Sequence, residues 1–215
     1  MLCLGPVARL QNRRAPRGAR LFQSDLGYTV TELLIVAFII ACIAVIGIPF
    51  SANLFANFRL GGDARMVLNH VSLTKMRAAS NFTQARLYVD LAARTHHIDV
   101  LDKSAVPPAW NLDGGMTSLA QNDNYGFGGA AVAPPNAVMA QSPNCLTDAG
   151  AAIPNTACII FNSRGVPVDT TGTPTAGNAI YLNDGVTLYG ITLSATGQVR
   201  LYRGMLTGAP GWIQQ

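Results

Sequence analysis

Residues 33–50, LLIVAFIIACIAVIGIPF, carry no charge and are almost wholly apolar, and no charged residue follows until Arg59. Such a run is apolar on every face of a helix. A helix over residues 28–50 would rise roughly 34 Å, about the hydrocarbon thickness of a bilayer. The pattern predicts a membrane-spanning helix; the competing reading, a core helix apolar all round, suits a larger protein than this. Beyond Pro49 the period changes. Leu54, Phe55, Phe58, Leu60, Met66, Val67, Val71, Met76 and Ala79 recur at steps of three and four, the sign of an amphipathic helix. Gly61-Gly62 weakens the pattern, and Asp63 stands where it can restart the helix as an N-cap. Arg59, Arg65, Lys75 and Arg77 fall on faces expected to be wet. The prediction is one long helix, its first half in a membrane and its second half packed on a domain.

The period then falls to two. Leu87, Val89 and Leu91 alternate in 84–92, and Ile98 and Val100 in 96–101, as in half-buried strands. Further strands are predicted at 157–162, 178–182, 186–194 and 198–203. Turn sequences Asn162-Ser163-Arg164-Gly165, Asn183-Asp184-Gly185 and Ala195-Thr196-Gly197 separate them. Residues 104–156 break the pattern. Six prolines, six glycines and six asparagines against three charges predict a long ordered loop rather than regular elements, anchored through Tyr125 and Phe127. The fold class is therefore α+β: a long N-terminal helix packed on an antiparallel sheet whose other face is wet or covered by loops.

Charge sharpens the organisation. The formal net charge is +4, which by itself suggests a polyanion partner. Arg9, Arg13, Arg14, Arg17 and Arg20 against Asp25 account for it (5 − 1 = +4), and residues 28–215 hold ten bases and ten acids. Once the first segment is gone, no overall basic field remains. A basic flank before the apolar run predicts a cytoplasmic N-terminus. A secretory signal is the alternative, with Gly47 to Ala52 imitating a cleavage site. Against it stands Glu32, the only glutamate in the chain. A carboxylate inside an apolar stretch needs a partner, and the amine of a neighbouring subunit would serve; a benign place near the positive helix end is the other account of it.

Gly27-Tyr28-Thr29-Val30-Thr31-Glu32-Leu33-Leu34-Ile35-Val36 resembles the prepilin processing motif of type IV pilins and type II secretion pseudopilins. The resemblance implies cleavage by a prepilin peptidase between Gly27 and Tyr28, and N-methylation of Tyr28 by the same enzyme. It implies pairing of Glu32 with the terminal amine of an adjacent subunit, and a helix break near Gly47 and Pro49, where a missing N–H and a ring clash supply the cause. Tyr28 stands where phenylalanine is usual, and Asp25-Leu26-Gly27 lacks the customary lysine. Further on, ACIIFNSRGVP and ITLSATGQVRLYR resemble the GspH/FimT branch of pseudopilins and minor pilins, outside the 104–156 insertion. The implied domains are a leader at 1–27, a transmembrane helix at 28–50 and a periplasmic pilin-like domain at 51–215. The implied protein is a single-pass component of the inner membrane that meets its lipid, then enters a type II secretion pseudopilus or a type IV pilus with other pilins, in protein transport or pilus assembly.

Of four cysteines, Cys3 leaves with the leader and Cys42 reads as a small hydrophobe. Cys145 and Cys158 fall in the region expected outside the cytoplasm, where disulfides persist. A bridge would close residues 145–158 and stabilise by about 3 kcal/mol; two unpaired thiols are the alternative. His96 and His97 point to opposite faces of a strand and His70 is the only other histidine, so no metal site is expected. Nor is a cofactor or an enzyme: no framed nucleophile, paired carboxylates or phosphate loop occurs. The alternative function is DNA binding in natural uptake. Gly197-Gln198-Val199-Arg200 with Arg203 resembles the basic C-terminal motif of some FimT-like pilins, with glutamine for its first arginine, and Arg200, Arg203 and Arg164 would be the contacts. Solvated strand-end arginines are the plain reading.

Overall fold

The computed structural model describes residues 28–206 and 211–215, and for residues 46 and 48–57 the backbone alone. The leader, Gly27 and Cys3 lie outside the described residues. The chain divides into two compact units, Met1–Gly47 and Ile48–Gln215.

One helix, α1, runs from Val30 to Ser80. Thr29 caps it: the Glu32 N–H reaches the Thr29 hydroxyl at 3.3 Å, the arrangement expected of a Thr-x-x-Glu start. The expected membrane span is overturned. Among the described residues no helix is long and apolar enough to cross a membrane. The expected single-pass inner-membrane topology, with its cytoplasmic and periplasmic sides, goes with it. The backbone stays helical through Gly47, Pro49 and Gly61-Gly62, so neither pair ends the helix. Asp63 accordingly lies inside the helix rather than at a cap. Gly61 has its own reason to be small, because a Cβ there would meet the Tyr189 hydroxyl at 3.2 Å.

The α+β expectation holds in the domain, with two antiparallel sheets where one was expected. Strands β1 (Ala85–Asp90), β2 (Thr95–Asp102), β3 (Ala109–Leu112), β4 (Thr117–Ser118), β5 (Asn124–Tyr125), β6 (Thr156–Phe161), β7 (Pro167–Val168), β8 (Ala179–Asn183), β9 (Thr187–Leu193), β10 (Val199–Met205) and β11 (Ile213–Gln214) follow the helix. The first sheet has the order β3-β2-β1-β6-β7, with β4 also on β2; the second is β11-β10-β9-β8-β5. Leu87 faces Ile159 across the β1–β6 pair, and Ile180 faces Ile191 across β8–β9.

Both sheets turn one face to the helix. Leu60, Ala64, Val67, Val71 and Ala78, spaced at four, three, four and seven, are fully buried and pack in one core with Leu87, Val89, Ile159 and Phe161 of the first sheet and Ile180, Leu182, Ile191 and Leu193 of the second. The alternate residues face outward, and the 104–156 insertion covers them. On the first sheet, Cys158, Ile160 and Val168 pack with Cys145, Trp110 and Ile153. On the second, Tyr181 and Leu188 pack with Phe127, Ala130 and Trp212. Strands β6 and β9 are therefore buried along their whole length, which a sheet with one wet face would not show.

Candidate functional site

Three regions bear on function: the N-terminal arm of α1, the flank of α1 that meets the insertion, and the arginines of the β6–β7 turn and of β10.

Along the arm, Tyr28, Val30, Leu33, Leu34, Ile35, Val36, Phe38, Ile39, Ile40 and Ile43 are all exposed. Glu32 is exposed too and is the only charged residue among 28–45. Its backbone N–H serves the helix start, and no ion pair engages its carboxylate among the described residues. A fully apolar helix surface cannot remain in water without cost, at roughly 25 cal/mol per Å² of apolar surface. Cys42 is an exposed free thiol on the same segment.

Further along α1, one flank carries Arg59, Asp63, His70 and Arg77. Sequence reasoning assigned the basic residues here to solvent, yet each member of the stripe meets a partner. Arg59 Nε lies 3.8 Å from Asp123 Oδ2. Asp63 Oδ2 accepts the Ala120 N–H at 2.7 Å. The rings of His70 and His96 stand 4.8 Å apart. Arg77 Nε pairs with Asp113 at 2.9 Å. Spacings of four, seven and seven keep these side chains on one line of the helix, so the flank and the insertion close on each other through polar groups beside an apolar core. Lys75, on the opposite flank, donates to the Gly197 carbonyl at 3.1 Å.

His96 lies at the centre of this seam. It is fully buried, and its Nδ1 shares a hydrogen bond of 2.8 Å with the Tyr125 hydroxyl. Burial, then the neighbouring His70 and His97, push its pKa down to about 4. Burial also lowers His70 and raises Tyr125. His97 points the other way, stacking on Tyr88 and reaching Asp99 at 3.2 Å. The expected opposition of His96 and His97 is thus observed. Among the described residues no group of three or more metal-ligating side chains converges.

The outer face of the first sheet is tied down by two devices. Cys145 and Cys158 form the expected disulfide, and around it the Cys145 N–H donates to Thr156 Oγ1 and the Cys158 N–H to the Pro143 carbonyl. Buried Arg86 pairs with Asp99 at 2.8 Å, donates to the Leu146 carbonyl at 2.7 Å and lies over the Trp110 ring. Burial alone would raise the Asp99 carboxyl; hydrogen bonds from His97 and Arg86 outweigh it and hold the pKa low.

Two of the three arginines proposed from sequence, Arg200 and Arg203, do not converge. Arg200 and Arg203 are three apart on β10, opposite Thr192 and Tyr189, so their side chains leave opposite faces. Arg200 lines a groove of about 450 Å³ with Arg65, Asn69 and Gln198. Arg203 borders a smaller one with Met205 and Ile213. Arg164 is exposed in the 162–165 turn, where Asn162 Oδ1 accepts its N–H.

No family model matches the chain, and no curated protein matches it. Among solved structures, one of the minor pseudopilin EpsH from the type 2 secretion system of Vibrio cholerae is similar at 11% identity and a TM-score of 0.35, covering 73% of this chain and 96% of that one. A crystal structure of the same pseudopilin is similar at 13% identity and a TM-score of 0.39, covering 69% and 92%. Scores of this size do not carry a family or a function.

Proposed function

We propose that the chain is a non-catalytic structural subunit of a filament of the pilin or pseudopilin kind, in which the arm of α1 packs against the arms of neighbouring subunits. The observation that carries this reading is the contrast within one helix: residues 28–45 expose apolar side chains on every face, and their single charge, Glu32, has no ionic partner among the described residues. Packing like helices side by side would remove that surface from water. It would also enclose the carboxylate, which then needs a cation, because an unpaired buried charge is expensive. In the finer form of the proposal, a prepilin peptidase removes residues 1–27 and methylates Tyr28, and the Tyr28 amine of one subunit meets Glu32 of another. The filament in this form is a type II secretion pseudopilus or a type IV pilus; ACIIFNSRGVP and ITLSATGQVRLYR, the segments that resemble the GspH/FimT branch common to both, form β6 and β9–β10 of the core.

The test is Glu32→Ala in the full chain. The variant is expected to lose most of its recovery in sheared filament fractions while its circular dichroism and disulfide stay unchanged. Recovery equal to the parent's would refute the assembly role. Intact mass of the incorporated subunit should correspond to a chain beginning at methylated Tyr28.

A further inference from the structure

At the N-terminal end of the polar seam two carboxyl groups face each other. Asp123 is fully buried, and neither of its oxygens has a hydrogen-bond donor. Asp63, buried on α1, accepts the Ala120 N–H at 2.7 Å, and the Ala120 carbonyl in turn accepts the Asp123 N–H at 3.2 Å, so both carboxyls sit at one buried turn. Arg59 is the cation that faces the pair; at 3.8 Å its Nε is too far for a hydrogen bond. Asp184, in the turn between β8 and β9, adds negative potential, and the Tyr125 hydroxyl is committed to His96.

The arrangement has acceptors and no donor. Two carboxylates and one guanidinium leave an excess negative charge in a buried place, where like charges repel strongly. One proton on the pair removes that excess and turns one carboxyl into the missing donor. We propose that Asp63 and Asp123 form a proton-operated latch, fastening segment 119–125 to α1 when the pair holds one proton and loosening it when both carboxyls are ionised. The segment is a strap between layers: Ala120 is bonded to α1, Tyr125 pairs with Leu182 in the second sheet, and the Tyr125 hydroxyl reaches His96 in the first. Burial, then Asp63, hold the Asp123 pKa up at about 6 despite the opposing pull of Arg59. With a folded-state pKa above the unfolded one, the stabilisation is complete in acid and is lost as pH rises through about 6. Burial lowers His70 and, with His70 and His97, brings His96 down to about 4; a histidine whose folded pKa is lowered gains stability as pH rises, so neither produces loosening on the alkaline side.

The experiment is hydrogen exchange of the full chain at pH 5 and pH 8, corrected for intrinsic rates. Opening of 119–125 should increase by roughly tenfold at pH 8, with β1 and β6 unchanged. Asp123→Asn should hold the segment equally closed at both pH values. Asp63→Asn, whose amide can still accept from Ala120 and now donate to Asp123, should do the same and serves if the first variant does not fold. Equal protection at the two pH values in the parent, or a parent-like pH response in the variant, overturns the latch.

Discussion

The two ends of α1 differ in what their apolar residues touch. Between Leu60 and Ala78 the helix hides its apolar stripe against two sheets and spends its charges on named partners. Between Val30 and Val45 its apolar side chains surround the helix and stay exposed. The difference follows from pattern. A stripe of one helical period can be buried by a single neighbour. An apolar surface on all sides needs several neighbours, and the described residues supply none.

Substitution can break that contrast. Phe161→Ala, at a fully buried position beneath the helix, should cost about 3–5 kcal/mol in denaturant unfolding. Ile35→Ala, on the exposed arm, should leave the same unfolding curve within about 0.5 kcal/mol. A large loss from Ile35→Ala in the dispersed chain would mean that the arm is buried within its own subunit.

The disulfide comes next. Replacing Cys145 and Cys158 together by alanine should lower stability by about 3 kcal/mol, read as a shift in thermal midpoint. It should also raise protease cleavage at 143–155, because Cys145 and Ile153 cover the outer face of β6. Unchanged cleavage would show that Arg86 and Trp110 hold the insertion without the bridge.

The smallest effect belongs to the seam. The His96 pKa is depressed to about 4 in the fold, below an unfolded value near 6.5. Its contribution is therefore complete above pH 6.5 and lost as pH falls through about 4, by at most about 3 kcal/mol. The Asp63–Asp123 pair has the opposite sign in an overlapping window, so the parent should show a shallow profile. His96→Gln should leave the rise of stability toward acid that the carboxyl pair alone produces. An unchanged profile would remove His96 from the account.

The six main strands were readable because alternation reports burial directly: predicted 84–92, 96–101, 157–162, 178–182, 186–194 and 198–203 all correspond to strands. The cysteine pairing was readable from the short separation of Cys145 and Cys158, 13 residues. The seam was not. Arg59, Asp63 and Arg77 look like any solvated face, and their partners Asp123, Ala120 and Asp113 lie tens of residues away in a segment whose prolines and glycines suggested only loop. A Thr29-x-x-Glu32 capping pattern was there to be read and gives Glu32 a local place at the helix start alongside any role in assembly. The membrane span is not met: among the described residues no helix is long and apolar enough to cross one.

Local pattern alone settled the helix, the order of strands, the turns and the outward opposition of His96 and His97, because each depends on residues within one or two turns or pleats of one another. Only the tertiary structure decided that there are two sheets, that the insertion is their outer cover, and that two aspartates meet in a buried place with one arginine. Those features depend on which distant segments share a surface, and the free energy of such contacts is set by burial and by the partner's charge, neither of which is written in the neighbouring residues.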